Sequence, residues 1–166
     1  ITLLSAKKLL RERNYFAAMM VNVGDADALI SGYSRSYPTV VKPILELIGL
    51  DKGVTRIATT NLLMTQRGPL FLSDTSININ PDSKDLATIA NMTATTVKMF
   101  GLEPVIAMIS FSNFGSSKDP SANKVREAVS YLHKFYPNLM VDGELQTDFA
   151  LNNEMLQERF PFSKLA

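Results

Sequence analysis

Pro104-Val105-Ile106-Ala107-Met108-Ile109-Ser110-Phe111-Ser112-Asn113-Phe114-Gly115-Ser116-Ser117, with Asp119-Pro120 after it and Leu139-Met140-Val141 closing it, is the stretch that decides the fold. Five uninterrupted apolar residues from Val105 to Ile109 read as a strand buried on both faces, as parallel strands are. They empty into a hydroxyl-rich loop. Asp119 and Pro120 then have the order of an N-cap and a first helical position. Val125, Ala128, Val129, Leu132, Phe135 and Tyr136 recur at helical spacing as an inward stripe. A final apolar run, Leu139 to Val141, completes a strand–helix–strand unit. The expected class is α/β: a three-layer α/β/α sandwich with a mostly parallel sheet, plus one inserted hairpin.

Working outward, Asp82 is positioned to cap a helix carrying Leu86, Ile89, Ala90, Ala94 and Val97 on one face and ending at Gly101. Before it, Thr55–Thr65 and Leu70–Asn80 are two strand-like runs about the turn Gln66-Arg67-Gly68-Pro69, which predicts a β-hairpin. Ser5–Phe16 reads as a short surface helix, and Ala17–Val23 as either a strand or its continuation. The run Ala26–Ile30 is expected to be a buried strand feeding the loop Ser31-Gly32-Tyr33-Ser34-Arg35-Ser36, with a helix starting near Pro38. Val40, Val41, Ile44, Leu45 and Ile48 continue at helical spacing to Gly49. Pro43 conflicts with that helix, so either it is kinked or its regular part begins near Lys42. After Leu139–Val141 come the polar residues Asp142–Asp148 and a helix from Ala150 to Arg159.

The chain has 166 residues, 46% of them apolar, enough for one well-buried core and short for two full domains. Seventeen basic and sixteen acidic side chains leave a net charge of +1 with no run of one sign, which argues against nucleic acid as a partner. With no cysteine and a single histidine, His133, thiolate and histidine metal sites are not expected. No apolar stretch reaches the roughly 18–20 residues needed to span a bilayer, so the reading is a cytoplasmic protein without membrane contact. The absence of an initiator methionine and the ending Phe162–Ala166 suggest a piece of something larger. Eight methionines are read as core filler.

Ligands of open α/β sheets bind at the carboxyl ends of strands. Three polar segments are expected there: Ser31–Ser36, Ser110–Ser117 and Asp142–Asp148. The first holds Gly32, Ser34, Arg35 and Ser36 before a helix N-terminus, where free N–H groups favour an anion and Arg35 adds a charged donor fork. The plainer account makes Gly32 a turn former, Ser36 a cap and Arg35 a solvated cation. Ser112, Gly115 and Ser116 carry the second segment, and helix capping is the alternative for them. Asn78 and Asn80, before Pro81, could contact a ligand or form a turn, the turn being favoured. Asp142, Glu144 and Asp148 could pair as acid and base or bind a cation, but solvated or capping carboxylates fit their spacing better. His133, one position beyond Leu132, belongs at a boundary or on the surface. No Gly-x-Gly-x-x-Gly fingerprint or phosphate-binding Gly-x-x-x-x-Gly-Lys-Ser/Thr loop occurs.

Four segments in order carry a resemblance: Asp25-Ala26-Asp27-Ala28-Leu29-Ile30-Ser31-Gly32, Ile77-Asn78-Ile79-Asn80-Pro81-Asp82, Met108–Ser112 with Gly115-Ser116, and Val141-Asp142-Gly143-Glu144-Leu145-Gln146 with Asp148. Together they resemble the phosphate acetyl/butyryl transferase family. The loop Gly32–Pro38, the segment Gly68–Thr75 and the ending Arg159–Leu165 are most similar to the phosphotransacetylase-like C-terminal region of multidomain NADP-dependent malic enzymes. That resemblance implies an isocitrate/isopropylmalate dehydrogenase-like fold, with residues 1–166 a fragment supplying mainly its second subdomain. It implies a regulatory, oligomer-forming domain, a homodimer or higher homo-oligomer, with acetyl-CoA or a related acyl-CoA or phosphate ligand as effector. NADP and a divalent metal would belong to domains absent here, which oxidatively decarboxylate malate. The alternative is a truncated phosphate acetyl/butyryltransferase moving an acyl group between acyl phosphate and CoA. The Ser-Arg-Gly segment of true phosphotransacetylases is not found after Asp148, so no catalytic residue is assigned. The expected ligand contacts are Arg35, Ser34, Ser36, Gly32, Ser112, Gly115, Ser116 and Asn80.

Overall fold

A computed structural model describes residues 1–50, 54 and 56–166. The chain divides into two compact units, Ile1–Arg56 and Ile57–Ala166.

The first unit is helical: α1 (Leu3–Leu9), α2 (Arg13–Val23) and α3 (Tyr37–Leu47). The helix expected over Ser5–Phe16 is therefore two. Glu12 turns extended, and its carboxylate caps α2 by accepting the Asn14 and Tyr15 amides at 2.9 and 3.1 Å. Ala17–Val23 is helix, resolving the choice left open there. The strand expected over Ala26–Ile30 does not form: the segment has no ladder partner among the described residues, and Ile30 is 99% exposed. A strand must satisfy its amides and carbonyls against a neighbour, and apolar content alone supplies none. The helix α3 runs through the buried Pro43, so the proline neither ends nor delays it. The Tyr15 hydroxyl donates to Glu46 Oε2 at 2.6 Å, tying α2 to α3.

The second unit holds β1 (Thr60–Thr65), β2 (Gly68–Ser73), α4 (Ser83–Met99), β3 (Val105–Ile109), α5 (Pro120–Phe135), β4 (Met140–Leu145), α6 (Thr147–Leu151) and α7 (Asn153–Arg159). The hairpin forms, with Thr65 opposite Gly68 across the Gln66-Arg67 turn. Its second strand stops at Ser73 rather than Asn80, and Thr55 lies outside the described residues. A reciprocal box, Asp82 with the Asp85 amide and Asp85 with the Asp82 amide, starts α4. The strands β3 and β4 pair in parallel on either side of the α5 crossover.

The expected mostly parallel sheet is corrected by this topology. Among the described residues there is one parallel pair, β3–β4, and one antiparallel pair, β1–β2. The core of the unit gathers Ala87 and Ala90 of α4, Met108 of β3, Val125, Ala128, Val129 and Leu132 of α5, and Val141 of β4. Each large aliphatic side chain buried there contributes about 1.5–3 kcal/mol. Phe135 and Tyr136, expected to face inward, are largely exposed because α5 ends where the core does. The methionines divide: Met108 is core, whereas Met64, Met99, Met140 and Met155 are exposed. The terminal helix is broken at Asn152, which turns extended and caps α7 through the Met155 amide.

Candidate functional site

Two clusters hold the expected contacts other than Asn80, one in each unit. In the first unit, Gly32, Ser34, Arg35 and Ser36 lie on the exposed loop between α2 and α3. The Arg35 side chain makes no hydrogen bond or ion pair among the described residues. Ser36 is the N-cap of α3 by position, yet its hydroxyl meets Thr39 Oγ1 at 2.8 Å and caps no amide. The Ser34 hydroxyl accepts from Arg13 at 2.7 Å, and the Ser31 hydroxyl donates to the buried Asn14 Oδ1 at 2.7 Å. Sequence reading missed Arg13 and Asn14, because nothing in their local pattern marks a return to a loop some twenty residues ahead. No strand delivers this loop, so its anion-binding potential rests on Arg35 and the start of α3 alone.

In the second unit the Ser110–Ser117 loop leaves the carboxyl end of β3 beside the end of β4. Ser112 is 2% exposed and Glu144 0% exposed. Glu144 Oε1 accepts the Ser112 hydroxyl at 2.9 Å and the Gly115 amide at 2.8 Å, and the Glu144 carbonyl accepts the Phe114 amide at 2.8 Å. The Ser112 and Ser116 hydroxyls meet at 3.0 Å, and Ser112 Oγ also accepts the Ser117 amide. Glu144 Oε2 has no hydrogen-bond partner; it faces Arg126 Nε at 3.4 Å as an ion pair. The carboxylate is fully buried and the guanidinium 35% exposed, so removing Arg126 strands a buried charge whereas removing Glu144 leaves one that water still reaches. The Arg126 guanidinium also donates to Ser117 O at 3.0 Å and Asn123 Oδ1 at 2.6 Å. Asn113 and Gln146 add a side-chain pair at 2.7 Å.

These bonds correct the reading of the acidic segment. Asp142 and Glu144 are buried, and only Asp148 is solvated. Asp142 Oδ2 accepts the Ser163 hydroxyl at 3.0 Å and the Lys164 amide at 2.8 Å, fastening the chain after α7. Ser112, Gly115 and Ser116 are brought together, while Asn80 stands apart and accepts from Lys124 at 2.9 Å. Asn78 belongs to a turn around Asp74, whose two oxygens accept bonds from Thr59, Ser76, Ile77 and Asn78. His133 is half-buried at the α5 boundary, its Nε2 2.8 Å from Val141 O. Among the described residues no three histidine, cysteine or acidic side chains are grouped to hold a metal, and no helix is long and apolar enough to cross a membrane.

Known proteins bear on this arrangement. The chain is 39% identical over 166 residues to the NADP-dependent malic enzyme of Haemophilus influenzae, matching 99% of this chain and 22% of that protein. It is also 39% identical over 160 residues to the phosphate acetyltransferase of Bacillus subtilis, matching 96% of this chain and 50% of that protein. A crystal structure of a phosphotransacetylase from Streptococcus pyogenes superposes with a TM-score of 0.86 at 40% identity, over 99% of this chain and 51% of that one. The chain thus spans about half or less of the length of these relatives. The family model for phosphate acetyl/butaryl transferase matches residues 1–166, and the chain belongs to that family.

Proposed function

We propose that this chain is the phosphotransacetylase-like regulatory and oligomer-forming domain of an NADP-dependent malic enzyme, and that it binds acetyl-CoA. The observation that carries this reading is the state of the polar side chains at the strand ends. Ser112, Asp142 and Glu144 are occupied by internal hydrogen bonds and, for Glu144 Oε2, by the Arg126 ion pair, which leaves none of the three free as a nucleophile, acid or base for acyl transfer. In the parent protein, oxidative decarboxylation of malate with NADP and a divalent metal belongs to other domains. Arg35 is the proposed cationic contact for a ligand phosphate, supported by Gly32, Ser34 and Ser36. In the second unit, taken by itself, Asn80 and Ser116 are proposed as polar ligand contacts, with Ser112 and Gly115 shaping the loop. The proposed setting is cytoplasmic, in a homodimer or higher homo-oligomer, and the proposed complete fold is of the isocitrate/isopropylmalate dehydrogenase kind with this chain in its second subdomain.

A second reading, a phosphate acetyl/butyryltransferase, is favoured by equal identity to the Bacillus subtilis acetyltransferase. Calorimetry of the intact parent protein with acetyl-CoA, alongside assays of malate oxidation and of acetyl transfer from acetyl phosphate to CoA, separates the two. Binding that changes malate oxidation without transfer supports the first, and transfer turnover supports the second. In Arg35→Ala, loss of one charge-assisted phosphate contact is expected to weaken acetyl-CoA binding about tenfold. Unchanged affinity removes Arg35 from the site.

A further inference from the structure

We propose that Glu144 and Arg126 are positioning residues, an ion pair between a buried carboxylate and a half-buried guanidinium that sets the shape of the Ser110–Ser117 loop from below. Its consequence for ligand binding rests on the function proposed above; its effect on the loop does not. Three independent features converge on Glu144. The β3–β4 register passes from Met108 opposite Gly143 to Ile109 opposite Leu145, so Glu144 is left out of the ladder. Such a bulge re-aims the side chain of the extra residue. Here the carboxylate has 0% exposure and lies beneath the loop, with Ser112 and the Gly115 amide on one oxygen and Arg126 on the other.

The second feature is backbone strain in the held segment. Phe114 has φ +43, a left-handed conformation that non-glycine residues rarely adopt, and Gly115 follows at φ +91. Strain of this kind persists only where the surroundings over-determine it. The surroundings are the hydrogen bonds from the Phe114 amide to the Glu144 carbonyl and from the Gly115 amide to the Glu144 carboxylate, and the packing of the Phe114 ring against Phe160 and Phe162, with both centroids at 5.0 Å. The third feature is the fit of Arg126. A Cβ on Gly115 would stand 2.8 Å from an Arg126 terminal nitrogen, so the guanidinium lies directly against the loop backbone while also holding Ser117 O. Ser112, Gly115 and Arg126 would make an anion cradle for a ligand, and the protein fills it with its own carboxylate. That leaves the outward side of the loop, at Gly115 and Ser116, as the surface offered to a ligand.

The test compares wild type with Arg126→Met, Glu144→Gln and the apolar pair Glu144→Leu/Arg126→Met, by thermal melting, amide exchange and acetyl-CoA calorimetry on the intact protein. Arg126→Met strands a buried charge and is expected to melt lowest, whereas the apolar pair strands none and recovers much of the loss. In the apolar pair the Gly115 and Ser117 amides are nonetheless expected to exchange about tenfold faster relative to Val129 in the α5 core, since Gly115 loses its acceptor and Ser112, the acceptor of Ser117, loses its brace. Glu144→Gln keeps an acceptor oxygen and is expected to fall between. Acetyl-CoA affinity should follow loop exchange rather than melting temperature. Wild-type exchange ratios in the apolar pair overturn the proposal, whatever acetyl-CoA does. Faster exchange with unchanged affinity upholds the brace and removes the loop from the ligand site. A wild-type protein that binds no acetyl-CoA defeats the proposed function, and the exchange ratios still decide the brace.

Discussion

Asp74 shows what one carboxylate can organise. Partial burial works against its charge, but hydrogen bonds from the Thr59 hydroxyl and amide and from the Asn78 amide and side chain outweigh that, holding it well below the usual carboxylate range. A carboxyl depressed on folding adds stability that is present above its unfolded pKa, about 3.9, and is lost as pH falls through the folded value. Asp74→Asn, which loses one acceptor oxygen and the charge, is expected to melt below wild type at pH 7. The gap should narrow steadily on acidification below about pH 4, where the wild-type carboxylate begins to surrender its advantage. Thermal melts from pH 7 to pH 2 check this. A gap that is constant or widens towards acid would show that Asp74 does not act through its charge.

At the scale of elements, β3 and β4 meet so closely that a side chain between them has no room. A Cβ on Gly143, whose φ is +143, would lie 2.6 Å from Met108 O and 3.0 Å from Met108 Cβ. Backbone cannot yield as a flexible side chain does, so Gly143→Ala is expected to cost about 2 kcal/mol or more. Urea unfolding followed by circular dichroism measures it, and a midpoint equal to wild type would mean the strands can part at no cost. The same pair marks how far the sequence could be read. The Val105–Ile109 strand, the α5 helix with its Asp119-Pro120 start, and the Asp82 cap were legible as elements because each is a local pattern of period, cap and breaker, but the strand is not buried on both faces as expected, since Val105 and Ile109 are exposed. Ala26–Ile30 was misread since apolar content reports burial only when a partner exists, and that partner is not a local property. Glu144 was read as a solvated or capping carboxylate from its spacing. What buries it is a skipped register position and an arginine eighteen residues upstream, neither of which leaves a mark in the strand's own sequence. The candidate site was legible as a list of loops, while the bonds that spend Ser112 and bring Arg13 to Ser34 were not.

Across the whole molecule the two units differ in what holds each together. Among its described residues unit one buries Asn14, Ala18, Val40 and Pro43, so two of these four are a polar amide and a proline ring. Unit two buries a continuous aliphatic cluster from α4, α5 and both parallel strands, with Leu132 and Val141 fully enclosed. Stability scales with apolar area removed from water, and regions with little of it open first. Native-state amide exchange in increasing urea is therefore expected to give Ala18 in α2 a lower opening free energy than Val129 in α5, with separate isotherms. Deleting three buried carbons from the larger core, as in Leu132→Ala, should lower the Val129 value by about 2–5 kcal/mol while leaving the Ala18 value near wild type. Should the two amides instead share one isotherm and fall together in that variant, the chain unfolds as a single cooperative body. The difference in core composition would then have no energetic counterpart. Separate isotherms would also assign each ligand-loop variant to its own background, Arg35 to the weaker unit and Glu144 to the stronger.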